Sequence, residues 1–267
     1  MMHTPLEDFS NSSLLKAMEE NVQQAWIRFG HGLGAEVHEE PEVLWFLSRF
    51  PFHLANGIVR THLPEHAVEE RLQQFTAYHL PIAWLVGPLT RPANLGAALE
   101  QQGWMHEDAP GMALDLHTLD EPLSFPSQLT ITRVNNEEHL KIWLRVMTCG
   151  SEIPEAGLNL LLDMVAKRGM PEDPAIHYYL GMLDERPVAT SLLYFGGGVA
   201  GIYNVATLPE VRRQGIGRAL TVAPLLHART LGYRIGVLQA SPMGQGLYRR
   251  LGFREYGTFQ AYFSPQE

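Results

Sequence analysis

Thr207-Leu208-Pro209-Glu210-Val211-Arg212-Arg213-Gln214-Gly215-Ile216-Gly217-Arg218-Ala219-Leu220 is the stretch from which the fold can be read. Residues 201–207 have strand character before it. After it, Ile216, Leu220, Val222, Leu225 and Leu226 recur at helical spacing. Between strand and helix lie two glycines flanking one apolar residue, with three arginines around them. A strand–loop–helix turn of this kind aims several backbone N–H groups and the positive end of a helix dipole at one point, a geometry that binds phosphate. Glycine there lets phosphate oxygens reach the backbone. The spacing is too short for a Walker loop, no Gly-Lys-Ser/Thr follows, and the third glycine of a dinucleotide-binding turn is missing. A turn that merely ends a strand is the plainer reading, and Arg212, Arg213 and Arg218 count against it.

Working outward, strands and helices alternate in a mixed pattern with neighbouring hairpins, which predicts an α+β fold. The second half reads as strand 129–133, helix 137–147 capped by Asn136, helix 154–167, strands 177–183, 188–195 and 201–207, the loop, a helix to about residue 231, strand 234–240, helix 245–251 and strand 256–263. Pro224 falls inside the long helix and predicts a kink. The first half reads as a helix over 12–29 capped by Ser12 or Ser13, strands 43–47, 57–61 and 82–86, helices 64–78 and 92–103, and a closing strand 112–116. Asp120-Glu121-Pro122-Leu123-Ser124-Phe125-Pro126-Ser127 breaks both kinds of element. The chain therefore divides into residues 1–121, a linker at 122–127, and residues 128–267. The halves echo each other. Strand 83–86, Pro88 and a helix ending Leu99…Gly103-Trp104 matches strand 235–239, Pro242 and a helix ending Tyr248-Arg249-Arg250-Leu251-Gly252-Phe253.

The segment 203–220, with Arg212, Gly215 and Gly217 meeting Arg/Gln-x-x-Gly-x-Gly/Ala, resembles the acetyl-CoA motif of the GNAT superfamily of N-acetyltransferases. Tyr248-x-x-x-Gly252-Phe253 resembles the family's second signature at the expected distance. The resemblance covers residues 128–263 well. The first half resembles the degenerate N-terminal copy of tandem GNAT proteins, so the expected fold is two GNAT-like domains, each a mixed central sheet flanked by helices. The resemblance implies an acetyl-CoA-dependent N-acetyltransferase working through a ternary complex, with one active centre per chain. It implies that Val205, Ala206 and Thr207 pair with the pantetheine arm, that this strand and the next splay apart, and that the backbone N–H near Val205 polarises the thioester carbonyl. Gln214, Gly215, Ile216 and Gly217, with Arg212, Arg213 and Arg218, would hold the pyrophosphate. Ser241 stands where many relatives carry Asn and would reach the pantetheine. Tyr248 would serve as the acid that protonates the leaving thiolate.

The sequence departs from the family at the base. Many members place Glu on the strand before the loop, and this strand reads Ile202-Tyr203-Asn204. Glu152, Glu155 or a water chain are the alternatives. A second reading follows from the same gap: an acyl-CoA-binding regulatory protein without turnover. In the first half, Gly30-His31-Gly32-Leu33-Gly34 imitates a glycine loop without basic residues, and Leu99 stands opposite Tyr248, so that copy is expected to lack both cradle and acid.

Composition bounds the rest. The chain has 267 residues, 45% apolar, with a net charge of −9. Residues 1–125 hold six basic and seventeen acidic residues, a net of −11; residues 126–267 hold fourteen and twelve, a net of +2. The second half suits a polyanionic small ligand, and nucleic acid is not expected. The acidic half would suit a cationic second substrate, or is simply solvated. The single cysteine, Cys149, forms no internal disulfide and reads as a packing residue. The twelve histidines show no zinc-ligand spacing, so no metal is expected. No secretion signal or membrane span is evident, which points to the cytoplasm.

Overall fold

The computed structural model describes residues 4–119, 125–170 and 173–265. The linker expected at 122–127 therefore lies partly outside the described residues. The first half contains α1 (Asn11–Leu33), β1 (Glu36–Glu39), β2 (Val43–Leu47), β3 (Asn56–Thr61), α2 (Val68–Thr76), β4 (Ala83–Val86), α3 (Leu95–Gln101) and β5 (Met105–Asp115). The second contains β6 (Leu129–Arg133), α4 (Glu137–Gly150), α5 (Glu155–Arg168), β7 (Ile176–Leu183), β8 (Arg186–Gly196), β9 (Val199–Thr207), α6 (Ile216–Thr230), β10 (Ile235–Gln239), α7 (Gln245–Arg250) and β11 (Arg254–Phe263).

The expected mixed sheets flanked by helices are present, and they are joined. All eleven strands form one sheet in the order β1-β2-β3-β4-β11-β5-β10-β9-β8-β7-β6. The two halves exchange their last strands. β11, from the end of the chain, pairs with β4, while β5 pairs with β10. β5 and β11 then pair with each other from Arg254↔Ala113 to Phe263↔Met105. Each half has one parallel pair, β3–β4 and β9–β10. The strand order is approximately twofold about the β5–β11 ladder.

The strand pleat distributes side chains to two helical layers. Along β10, Ile235 and Val237 pack with Leu14, Met18 and Val22 of α1. Leu238 faces the other way, into the cluster built on Leu220, Val222 and Leu225 of α6. α1 thus belongs to the first half but covers strands of both. Asn21, fully buried on α1, donates from Nδ2 to Gly196 O at 2.8 Å and locks the helix onto the β8–β9 hairpin.

Several local expectations are corrected. α1 starts one residue earlier than read and is capped by Ser10, not Ser12 or Ser13, because Asp8 accepts from both the Ser10 and Ser13 hydroxyls and holds the turn open for Ser10. Gly30–Leu33 is the last turn of α1, and Gly34 (φ 74°) is its left-handed cap, so this segment is no loop. β1 was not anticipated, being a short polar edge strand. β5 is 11 residues long rather than five, since its polar start, His106-Glu107-Asp108, is held by pairing with β11. Asn136 caps α4 as expected, its side chain accepting from His139 N at 2.8 Å. α6 runs from Ile216 to Thr230 through Pro224 as one helix.

Candidate active site

β9 and β10 separate. Their pairing consists of Gly236↔Ala200 and Val237↔Gly201. Beyond that point β10 continues against β5 through Leu238↔Met112 and Gln239↔Gly111, while residues 202–207 of β9 leave it. The edge of β9 that faces β10 is therefore without a strand partner along Val205, Ala206 and Thr207, with Thr207 O bonded to the Arg212 side chain. A bulge marks the divergence. The β8–β9 register shifts between Thr190 and Leu192, Asn204 takes a left-handed φ of 50°, and Thr190 Oγ1 donates to Asn204 O at 3.0 Å. Sequence reading missed Asn204, although Asn is among the residues that best tolerate this conformation.

At the end of β9 the chain turns through a short 3₁₀ segment, Pro209–Val211, into the glycine loop. Gly215 (φ 83°) is the left-handed residue that launches α6, so glycine is required there by backbone conformation. Arg213 is also left-handed, at φ 61°. Gly217 has a different reason. A Cβ at that position would meet no protein atom closer than 3.7 Å, so the protein itself does not need glycine there. The bare backbone leaves a space in front of the first turn of α6, where its free N–H groups and dipole end lie. Gln214 and Arg218 flank this turn.

Arg212 points elsewhere. Its Nε donates to Thr207 O at 3.1 Å and its Nη2 to Gly150 O at 2.9 Å. The guanidinium thus ties the glycine loop to the C-terminal end of α4. Gly150 lets that end approach β9 closely, since a Cβ there would lie 3.1 Å from Ala206 Cβ and 3.2 Å from Thr207 N. Glu152 is exposed, with Oε1 3.5 Å from Arg212 Nη2. Glu155 starts α5 and is exposed.

Tyr248 sits on α7 beside the start of α6 and is 8% exposed. Burial pushes its phenol up to about 12, against a hydrogen bond with Thr221 that acts the other way. Thr221, one turn beyond Gly217 on α6, donates from Oγ1 to Gly217 O at 2.9 Å. It links the phenol to the glycine turn and was not singled out from sequence; its spacing of four residues from Gly217 was the available signal. Ser241 opens the turn into α7. Its carbonyl accepts from Gly244 N at 2.9 Å, and its Oγ from the same N–H at 3.3 Å.

The equivalent place in the first half is closed. β3 and β4 also pair over only two residues, Gly57↔Ala83 and Ile58↔Trp84. There the open edge is taken by the chain itself: Arg91 N donates to Thr61 O at 2.9 Å and Leu63 N to Arg91 O at 3.0 Å. Leu99, opposite Tyr248, is fully buried in the first half's own core.

Residues 174–255, which include the splayed strand, its bulge and the glycine-launched helix, match the acetyltransferase (GNAT) domain. This segment carries a GNAT-type acetyltransferase domain. No curated protein sequence matches it. Among solved structures, a GCN5-related N-acetyltransferase from Kribbella flavida is similar over 91% of this chain and 95% of its own, with 20% identity and a TM-score of 0.63. A GCN5-related N-acetyltransferase from Sphaerobacter thermophilus covers 98% of this chain and 94% of its own, with 15% identity and a TM-score of 0.58. A tandem GNAT protein from the clavulanic acid biosynthesis pathway covers 99% and 98%, with 12% identity and a TM-score of 0.57. At these identities the likeness is one of fold, and it extends through both halves of this chain.

Among the described residues no group of three or more His, Cys, Asp or Glu side chains is placed to hold a metal ion, and no helix is long and apolar enough to cross a membrane.

Proposed function

We propose that this protein is an N-acyltransferase that moves an acetyl group from acetyl-CoA directly to an amine in a ternary complex, at one centre in its second half. The edge of β9 at Val205–Thr207, left without a strand partner, carries this reading, because such an edge beside the unobstructed backbone of Gly215 and Gly217 suits a ligand with an extended amide arm ending in a pyrophosphate. In this reading Gln214, Gly215, Ile216 and Gly217 receive the pyrophosphate on their backbone N–H groups, and Arg213 and Arg218 add charge. Arg212 holds the loop in shape through Gly150 and Thr207. Ser241 borders the arm from the β10 side. The N–H near Val205, exposed by the bulge, polarises the thioester carbonyl.

The amine lone pair attacks that carbonyl, the C–S bond breaks, and the sulfur leaves as a thiolate. Tyr248 stays protonated throughout the working range, since its phenol is raised to about 12. As the sulfur departs, the phenol turns its proton to the thiolate from Thr221 Oγ1, whose own proton is held by Gly217 O. Complete proton transfer to a thiol of ordinary pKa, about 8.5, would run uphill by roughly 3 to 4 pKa units, so solvent finishes the protonation. Thiol release from acetyl-CoA against a panel of amines tests the reading. Tight CoA binding with no release for any amine would favour the non-catalytic acyl-CoA-binding alternative instead.

A further inference from the structure

A cavity of about 310 Å³ lies between the two halves, on the sheet face covered by α1, α4 and α5. Trp26 and Phe29 of α1 and Phe52 of the β2–β3 loop form its first-half wall. Leu144 and Met147 of α4 and Leu161 of α5 form the wall opposite. Asn204, the left-handed residue at the β9 bulge, also lines it. The cavity therefore reaches the point where the thioester carbonyl is placed above.

Its chemistry is one-sided. No Asp or Glu is among the lining residues, and the sole charged one, Arg28, is ion-paired with Asp173 at 3.1 Å with its side chain 54% exposed. The phenol of Tyr203 is engaged by Asn21 Oδ1 at 2.6 Å, and that of Tyr194 by Arg28. The acidic residues of the first half, which could have suited a cationic acceptor, are not on these walls.

We propose that this cavity receives the body of the acceptor, and that the acceptor is a primary amine on an uncharged apolar body, aryl or alkyl. The volume has room for roughly ten atoms the size of a water molecule. A second ammonium group, as in a polyamine, would be buried with no carboxylate to pair it. The same apolar walls disfavour the charged form of the reacting amine and select its neutral form, which accounts for a site without a strand carboxylate. This inference rests on the acyl-transfer reading. The nitrogen lone pair forms the amide bond, the C–S bond breaks, and the amine's surplus proton passes to solvent.

The test is calorimetric binding of 2-phenylethylamine, octylamine and spermidine to the full chain in the presence of CoA, beside thiol release from acetyl-CoA with the same amines. The apolar amines should bind at least tenfold more tightly than spermidine and be turned over in the same order. Gly32→Leu places a side chain in the cavity from α1, where the nearest atom to its Cβ is Met164 Sδ at 3.4 Å. It should weaken apolar-amine binding at least tenfold, leave acetyl-CoA affinity unchanged and keep the melting temperature equal or higher. Tighter binding of spermidine, or no binding of either apolar amine, overturns the proposal, even if thiol release shows that acetyl transfer itself occurs. Octanoyl-CoA binding more tightly than acetyl-CoA, with that preference abolished by Gly32→Leu, assigns the cavity to an acyl chain and equally overturns it. Apolar amines that bind without thiol release leave the cavity's ligand class standing and remove the acetyl-transfer reading.

Discussion

Arg212 donates from Nη2 to the backbone carbonyl of Gly150 over 2.9 Å, and so fastens the glycine loop to the end of α4. Hydrogen bonds from charged groups contribute about 1.5–3 kcal/mol each. Arg212→Ala should therefore lower the melting temperature by several degrees and weaken CoA binding about tenfold or more. Loss of affinity with an unchanged melting temperature would show instead that the guanidinium meets the ligand directly.

Gly217→Ala should move stability and affinity in opposite directions. Replacing glycine inside a helix stabilises by roughly 0.5–1 kcal/mol, and no protein atom obstructs the new Cβ. Differential scanning fluorimetry should show an equal or higher melting temperature. CoA affinity should fall at least tenfold, about 1.4 kcal/mol, because the methyl group occupies the proposed phosphate space. Unchanged affinity would remove Gly217 from the cradle.

Tyr248→Phe should reduce kcat by about 10- to 100-fold, at the low end of general-acid contributions, with CoA affinity nearly unchanged. Because burial raises the phenol to about 12, wild-type kcat should hold through pH 10, where an ordinary tyrosine would be half ionised. An alkaline fall centred on pH 10 that disappears in the variant would show that the phenol titrates normally.

Stability should fall on the acid side through His177. Burial, aided by the charge of Arg133, lowers this histidine to about 4, and its Nδ1 is buried without a hydrogen-bond partner. The unfolded chain binds the proton near pH 6.5, the folded chain only near 4. Stability is thus complete above about pH 6.5 and declines as pH falls toward 4. His177→Gln, which keeps a donor for Pro174 O, should flatten the melting temperature across that window. An identical slope in wild type and variant would place the acid sensitivity elsewhere.

The exchanged strands predict mutual dependence. A fragment of residues 128–267 lacks β5 and would expose the facing edges of β10 and β11. Expressed alone it should aggregate or remain unfolded, and co-expression with residues 1–121 should restore a soluble complex. A monomeric, cooperatively melting fragment would show that the second half folds without its borrowed strand.

Much of this protein was legible locally. β2, β6 and the α4 cap fell where apolar alternation and Asn136 placed them, because those signals need only neighbours in the chain. The paired C-caps were legible too: Gly103 and Gly252 are both left-handed, and Trp104 N→Leu99 O (3.1 Å) repeats as Phe253 N→Tyr248 O (3.0 Å). Gly215 announced its turn because only a residue without Cβ adopts that φ at no cost. Tertiary structure decided the rest. β5 extends through His106-Glu107-Asp108 only because β11, some 150 residues away in sequence, supplies its hydrogen-bond partners. The same exchange turns two expected sheets into one. Arg212 reads as a phosphate ligand by charge and becomes a brace by proximity to Gly150. The apolar cavity draws its walls from α1, α4 and α5, and a space between elements distant in sequence leaves no periodic mark on any one of them.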